Sequence, residues 1–381
     1  MSFPLESIRV LDLSQAVSGP FAGRMFSDLG ADVVRVEWPR GDVSNAFGRK
    51  LGGMTGLFTQ MNAGKRGISG DLSSPAGVAL IARLASRADV VIENFRPGVL
   101  DRAGLGYETL SEHNQRLIML SISGFGAKGP DSQRQAYAPV IHAESGLLAR
   151  QATYDARPPV DITLALADSL ASLHGTVAVL AALTLRGRTG TGQHIDLSML
   201  DAMIATDDYV HYAADGVHDY GLQRGELWDA TGGPVMIAGD AKLIWARVAT
   251  SAGLTDPAPN ADLPTKIAGR RAAVADWIAS FTNRDELIAA LVAANLPWAD
   301  LRSSRTILDS PSVIARDVFA SVDDGEGGER RVVRMPYRFS DAECAVAGPA
   351  PTRGRNNDAV LGDWLDLSPD EVAALVSSGA V

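Results

Sequence analysis

The carboxylate of Asp168 is well placed for chemistry, because it stands at the head of a long apolar run. Residues 169–185 are almost all small or aliphatic, which predicts a helix buried on most sides. An Asp before a helix is ordinarily an N-cap for the first N–H groups. The same helix end lowers a carboxyl pKa, and an ionised carboxylate attacks activated carbonyls. Because no Lys or Arg lies between Arg157 and Arg186, both roles stay open.

The elements that must position Asp168 follow an α/β pattern. Helices are predicted between buried strands at residues 8–13, 31–37, 65–72, 89–95 and 116–123. This alternation predicts an open, mostly parallel sheet, in which ligands bind at the carboxyl ends of the strands. Three loops follow such strands and are candidate binding loops, at residues 14–19, 94–102 and 124–137.

The first strand, helix and strand also suggest a dinucleotide-binding fold, with Glu37 placed to hold a ribose. The fingerprint of that fold requires three glycines in the pattern G-x-G-x-x-G. The turn here has the sequence SGPFAG, with Pro20 in a crowded position. A dinucleotide-binding oxidoreductase is therefore a disfavoured alternative.

The second half of the chain changes character. Residues 203–225 are polar and rich in Asp, Tyr, His and Gly, which predicts a linker. From Glu226 a strand and three helices predict a smaller α+β unit that ends near Phe319. A hairpin-like turn and a strand over 332–340 are predicted next. Ser368 and Glu371 form the pattern of a capping box for a last helix.

Composition excludes several classes of protein. The formal net charge of −10 disfavours nucleic acid as a partner, and the single cysteine, Cys344, excludes an intrachain disulfide framework. The six histidines have no metal-ligand spacing, so no metal site is expected. The run at 169–185 is slightly short for a membrane span, and residues 1–10 lack the features of a signal peptide. A cytoplasmic protein with no membrane partner is therefore expected.

Long stretches of the chain resemble CoA-transferase family III, the CaiB/BaiF family, which also contains α-methylacyl-CoA racemases. The most specific motifs are ENFRPGVLDR, from residue 93, and GTGQHIDLSMLDA, from residue 190. Further matching stretches are RVLDLSQAVSGPFAGRMFSDLGADVVRVE, RLIMLSISGFGAKGP and RNNDAVLGDWLDLSPDEVAAL. The resemblance spans nearly all 381 residues.

The resemblance implies a fold and an assembly. The α/β fold would have a large Rossmann-like domain built from residues 1–202 and 326–381, with a mostly parallel sheet. A linker at 203–225 would lead to a smaller α+β domain at 226–325. Two chains would form an interlocked homodimer, in which the active site uses both subunits.

The resemblance also implies an activity. Asp168 falls on the nucleophile position of the transferases, so it would form an aspartyl anhydride and then an aspartyl-CoA thioester. The substrates would be an acyl-CoA donor and a carboxylic acid acceptor, with coenzyme A as substrate and no tightly bound cofactor.

The residues expected to contact CoA lie on the candidate binding loops and near them. By resemblance they are Val17, Ser18, Arg40, Asp71, Asn94, Phe95, Arg96, Arg102, Gln135 and Tyr137. Some of these positions depart from the transferase pattern. Val17 and Ser18 stand where formyl-CoA transferase has Gln-Ala, Trp38 replaces an Arg with Arg40 nearby, and Gln135 replaces a Lys.

Two alternatives within acyl-CoA chemistry stay open. A racemase needs a Gly-His-Asp triplet whose His exchanges the α-proton. Residues 136–138 are Ala-Tyr-Ala here, and His142 comes five residues after Tyr137, so a transferase is favoured. A non-catalytic homologue that only binds acyl-CoA is the other alternative.

Overall fold

A six-stranded parallel sheet organises the fold of the computed structural model, which describes residues 2–217 and 225–381. The strands, in chain order, are β1 (Arg9–Asp12), β2 (Asp32–Glu37), β3 (Lys50–Leu51), β4 (Met54–Thr55), β5 (Arg66–Ser69), β6 (Val90–Glu93), β7 (Ile118–Ser123), β8 (His194–Ser198), β9 (Gly225–Trp228), β10 (Val235–Ala238), β11 (Trp298–Asp300), β12 (Phe319–Asp323) and β13 (Glu329–Val333). The sheet has the order β5-β2-β1-β6-β7-β8, with every neighbouring pair parallel. This is the doubly wound order, which reverses between β1 and β6. The expected Rossmann-like α/β fold is confirmed.

Helices cover both faces of this sheet, and the helices between residues 241 and 315 belong to a separate unit of the chain. The helices are α1 (Ser18–Asp28), α2 (Gly56–Asn62), α3 (Pro75–Ala85), α4 (Val99–Arg102), α5 (Tyr107–His113), α6 (Ala138–Glu144), α7 (Leu147–Asp155), α8 (Leu166–Thr189), α9 (Met199–Thr206), α10 (Val210–Ala214), α11 (Ala241–Ala252), α12 (Leu263–Ala279), α13 (Arg284–Ala293), α14 (Pro311–Ala315), α15 (Asn357–Leu365) and α16 (Pro369–Ser377). Two short 3₁₀ helices span Val43–Ala46 and Thr306–Asp309. The predicted capping box begins α16, where Ser368 and Glu371 satisfy each other's backbone N–H groups.

Two apolar cores lie against the sheet. One core joins the sheet to α3 and to the C-terminal helices α15 and α16. It includes Trp364 of α15, whose side chain is 1% exposed. The Trp364 Nε1–H donates to Asp32 Oδ2 at 2.7 Å and ties α15 to β2. The other core packs α1, α6, α8 and α9 together and includes Met25, Phe26 and Ile141. Since both faces are covered, the central strands are buried, as a parallel sheet requires.

Helix α8 is longer and less buried than predicted. It has 24 residues, and by length and composition it is able to cross a membrane. A core helix passes the same test, and α8 packs against α1, α9 and β7. Only 44% of the most apolar 18-residue stretch of α8 is buried. Leu173 and Val177 on this helix are 43% and 65% exposed. Because the helix is apolar on all sides, its sequence does not reveal which stripe faces outward.

The chain divides into two compact units, residues 1–210 with 317–381 and residues 211–316. The second unit has an antiparallel sheet of order β11-β10-β9 and its own core with α11, α12 and α13. The range predicted as a linker contains the end of α9 and all of α10, and its residues 218–224 lie outside the described residues.

The strand predicted over residues 332–340 is wrong. The strand is β13, which ends at Val333 and forms a hairpin with β12 in the first unit. Pro336 has no backbone N–H to donate, so the apolar residues around it do not extend the ladder.

Candidate active site

The loops after β1 and β6 meet where the strand order reverses. The Asn94 side chain accepts the Gln15 N–H at 2.9 Å and donates to the Gln15 carbonyl oxygen at 2.7 Å. Its Nδ2 also donates to Ser18 Oγ at 3.1 Å. Ligands of doubly wound sheets bind in the crevice at this reversal. Asn94 therefore fixes the shape of the loop 14–18 at the expected binding edge.

Asp168 lies at the same place, in the first turn of α8. The cap position of this helix is Ala165, so the interpretation of Asp168 as an N-cap is wrong. The Asp168 carboxylate accepts hydrogen bonds from the backbone N–H and the hydroxyl of Ser18. Ser172 Oγ lies 2.6 Å from the carbonyl oxygen of Ser18 and 2.7 Å from that of Asp168. These bonds join the start of α1 to the start of α8.

Burial controls the ionisation of Asp168. The side chain is 8% exposed, and burial raises the pKa of its carboxyl from 3.8 to about 6. The Ser18 hydrogen bonds act in the opposite direction and do not outweigh burial. The expectation of a lowered pKa is therefore wrong, because desolvation exceeds the effect of the helix end. At pH 7 the carboxylate is still mostly ionised, although water hardly reaches it.

The loop that carries Ser18 contains a strained residue. Ala16 has a φ of 63°, in the left-handed region that L-residues other than glycine, Asn and Asp seldom adopt. Its N–H donates to Asp42 Oδ1 at 3.2 Å. Asp42 is itself buried and accepts from Arg35 at 2.7 Å and from the Ser44 N–H at 2.8 Å. A buried ion pair thus holds the bend that presents Ser18 to Asp168.

A second buried ion pair, which the sequence does not predict, supports the same edge. Lys65 Nζ donates to Asp12 Oδ2 at 2.7 Å, to the Pro20 carbonyl oxygen at 2.8 Å and to Asn62 Oδ1 at 3.0 Å. Burial lowers the pKa of Lys65 to about 8, although Asp12 opposes the shift. Burial acts to raise the pKa of Asp12, but Lys65 and Arg35 outweigh it and lower that pKa. The sequence feature that indicates such a pair is Asp12, because a charged residue within a buried strand needs a partner of opposite charge.

Three of the residues expected to contact CoA line one cavity beside the end of β6 and along one face of β7 and β8. This cavity has a volume of about 350 Å³, and Phe95, Arg96 and Arg102 are among its lining residues. The Phe95 ring packs edge-on against Trp38 with centroids 5.8 Å apart. Glu93 accepts the Phe95 N–H at 2.8 Å, and burial raises the pKa of Glu93 to about 7. The arginines are exposed at the cavity and are free to meet an anion.

The other expected contacts are distributed around the site. Val17 is the N-cap of α1, next to Ser18. Arg40 and Gln135 are exposed, and Tyr137 is 63% exposed. Asp71 accepts from the N–H and hydroxyl of Ser73 at 2.8 and 2.7 Å, within its own turn. Their contacts to CoA stay a prediction.

The His142 ring is buried beside the start of α8 and has both nitrogens engaged. Nδ1 lies 2.8 Å from Asp161 Oδ1, and Nε2 lies 3.2 Å from the backbone nitrogen of Ala167. A racemase base needs a free nitrogen that points at the substrate. This geometry therefore disfavours the racemase alternative. Throughout residues 2–217 and 225–381, no cluster of His, Cys, Asp or Glu is suited to a metal ion.

Comparison with known proteins assigns the family. The model of CoA-transferase family III matches residues 5–357, so the chain belongs to this family and is an enzyme of the CoA-transferase class. Succinyl-CoA–D-citramalate CoA-transferase of Chloroflexus aurantiacus is 31% identical, with 98% of this chain and 96% of that protein covered. Formyl-CoA:oxalate CoA-transferase of Streptomyces coelicolor is 30% identical, with 99% of each chain covered.

Solved structures agree with this assignment. A CaiB/BaiF family protein from Brucella suis superposes with a TM-score of 0.81 at 30% identity. The superposition covers 96% of this chain and 100% of that chain. The resemblance found in the motifs is thereby confirmed over the whole fold.

Proposed function

We propose that the chain moves CoA from an acyl-CoA donor to a carboxylic acid acceptor, with Asp168 as the covalent carrier. One observation carries this proposal: Asp168 is a buried, ionisable carboxylate at the reversal of a doubly wound sheet. It meets Ser18 there, at the edge where CoA is expected to bind.

The first half of the reaction would load CoA onto the enzyme. An oxygen of Asp168 attacks the thioester carbonyl of the donor, the C–S bond breaks, and CoA thiolate leaves from a mixed anhydride. The thiolate then attacks the aspartyl carbonyl of the anhydride, and the donor acid leaves as its carboxylate. Asp168 is now an aspartyl-CoA thioester.

The second half would run the same chemistry towards the acceptor. The acceptor carboxylate attacks the aspartyl thioester, which releases CoA thiolate and forms a second anhydride. The thiolate attacks the acceptor carbonyl of that anhydride, and the Asp168 carboxylate is restored. Each step exchanges one activated carboxyl group for another, so no external energy source is required.

The surroundings of Asp168 favour these steps. Burial disfavours the carboxylate anion, and acylation removes its charge, so desolvation favours the anhydride over the free anion. When the aspartyl carbonyl is attacked, negative charge develops on its oxygen. The Ser18 backbone N–H, which already donates to this carboxylate, is oriented to stabilise that charge.

We propose that CoA binds along the loops after β1 and β6, with Arg96 and Arg102 on its phosphates. The exposure of both guanidinium groups beside one cavity supports this role. Arg40, Asp71, Gln135 and Tyr137 remain proposed contacts on the basis of family resemblance. Asn94 would act by holding Gln15 and Ser18, because both ends of its amide are already bonded to them.

The acceptor would be a carboxylic acid, as the names of the relatives indicate for those proteins. We also propose a homodimer. An apolar groove of about 460 Å³ on the outer face of α8, lined by Leu173, Val177 and Phe339 among others, supports it. The cytoplasmic location expected from the sequence stays a prediction.

Mass spectrometry after incubation with a set of acyl-CoA esters tests the carrier. We expect a hydroxylamine-sensitive adduct on the peptide with Asp168, and its loss together with transfer in Asp168→Asn. Asp201→Asn is a matched control, because Asp201 occupies the same first-turn position of α9 but is exposed. Equal transfer by Asp168→Asn and wild type would exclude Asp168 as the nucleophile. Binding of acyl-CoA without an adduct or transfer would instead support the non-catalytic alternative.

A further inference from the structure

The first turn of α8 receives an acceptor from outside the helix. Its cap residue, Ala165, offers no side-chain hydrogen bond, so the first N–H groups need other partners. The N–H of Ala167 donates to His142 Nε2 at 3.2 Å. Ala167 has no exposed surface, so water does not replace this acceptor. The residue after Ala167 is Asp168.

Asp161 determines which ring nitrogen of His142 carries the proton. A carboxylate only accepts hydrogen bonds, and Asp161 Oδ1 lies 2.8 Å from Nδ1, so Nδ1 must be the donor. Nε2 then keeps its lone pair, which the Ala167 N–H requires. Both partners therefore select the same neutral tautomer. The His142 side chain is 1% exposed, which leaves the ring no other partner in solvent.

We propose that His142, held by Asp161 in the Nδ1–H tautomer, is a positioning residue that fixes the first turn of α8 and thereby the Asp168 carboxylate. The inference rests on the proposed role of Asp168. Nucleophile geometry matters because a displacement of about 1 Å costs on the order of 100-fold in rate. Helix α6, which carries His142, packs directly against α8, and the Ser145 hydroxyl donates to the His142 carbonyl oxygen at 3.1 Å. The ring is thus carried by a helix that packs on the one it positions.

Two substitutions separate positioning from packing. His142→Leu removes the acceptor, and we expect kcat to fall about 10- to 100-fold while KM for acyl-CoA changes less than about threefold. His142→Gln keeps a carbonyl oxygen that accepts the Ala167 N–H, and we expect it to restore most of kcat. His113→Leu is the control, because His113 is exposed at the end of α5. Equal losses of kcat in the Leu and Gln variants, or no loss in either, would overturn the proposal.

A measurement on the wild-type enzyme covers the case in which His142→Leu does not fold. In ¹⁵N NMR of histidine-labelled protein, assigned with His142→Gln, we expect a protonated Nδ1 and an unprotonated Nε2 for His142. The opposite tautomer, or an imidazolium at pH 7.5, would overturn the proposal. This readout does not depend on Asp168 being the carrier, so it fails independently of the proposed function.

Discussion

At the scale of single residues, the main feature is that Asp168 is both buried and ionisable near neutral pH. A nucleophilic carboxylate must be ionised, yet burial raises the pKa of Asp168 to about 6. Full exposure would keep it ionised but hydrated, and hydration weakens a nucleophile. The Ser18 hydrogen bonds keep the ionised form accessible near neutral pH. A carboxylate in this state is ionised and poorly hydrated, and its hydrogen bonds to Ser18 fix its orientation.

The pH dependence of transfer follows from this pKa. The proposed role of Asp168 requires the ionised carboxylate in the free enzyme, so we expect kcat/KM to fall about tenfold per pH unit below about pH 6. CoA carries a phosphate monoester that also titrates near pH 6. A ¹³C NMR titration of the free enzyme, with Asp168→Asn as the reference, assigns the ionisation to the protein. A profile that stays level down to the ordinary Asp value of 3.8 would contradict the prediction.

At the scale of elements, the loop between β1 and α1 is the part that must keep its shape. Ala16 is held at positive φ by Asp42, and Ser18 follows two residues later. Left-handed backbone costs a residue with a Cβ about 1–2 kcal/mol, and more if the side chain is β-branched. The buried Arg35–Asp42 ion pair offsets this cost, because it holds the carboxylate that accepts the Ala16 N–H. The strained loop therefore depends on the buried ion pair.

Substitution of Ala16 tests whether activity depends on the bend at this residue. We expect Ala16→Val to lower kcat at least about tenfold and to destabilise the fold, because valine disfavours the left-handed region. Ala16→Gly keeps the bend and should retain activity. Ala156, with a φ of 50°, ends α7, so Ala156→Val should lower Tm without a matching loss of kcat. Normal kcat in Ala16→Val would mean that Ser18 does not depend on the bend.

Much of this element scale was predictable, and the failures have physical causes. Continuous apolar runs predict most strands of the parallel sheet, since the strands β1, β2, β5, β6 and β7 are largely buried. The start of α8 was not predictable, because it depends on His142 as an external acceptor rather than on a local cap. The pairing of Lys65 with Asp12 joins residues 53 positions apart, and no periodicity reports such a contact.

The candidate site was partly predictable for the same reasons. The sequence singles out Asp168 as the candidate nucleophile, because it is a lone carboxylate before an apolar helix and matches the family motif. The structural role of Asn94 was not found, because its amide bonds to the backbone of Gln15, 79 positions away. Local patterns report burial and caps, whereas these contacts depend on how the sheet brings distant loops together.

At the scale of the whole molecule, the outer face of α8 is an apolar surface that is exposed to solvent. Val177 is 65% exposed and lines the groove with Leu173. Exposed apolar patches of this kind mark interaction sites in many proteins. A second copy of the chain is the occupant that the family resemblance implies.

Sedimentation velocity tests the assembly. We expect the wild-type chain to be a dimer, and Val177→Glu to be a monomer or a much weaker dimer, because burying a charge in an apolar contact is costly. Val292→Glu is the control, since Val292 is 60% exposed on α13 of the other unit. A wild-type monomer, or an unchanged dimer in Val177→Glu, would contradict the prediction.

The hydrogen bond from Trp364 to Asp32 has a consequence for biosynthesis. Its partners are 332 positions apart, and Trp364 also fills the core beside β2 and β5. A ribosome therefore releases the chain for β2 long before it makes the helix that covers that strand. Until then α3 covers only part of that apolar face of the sheet, which is a condition in which nascent chains aggregate or recruit chaperones. The unit of residues 211–316 is contiguous and has its own core, so its whole sequence emerges before the C-terminal helices α15 and α16 are made.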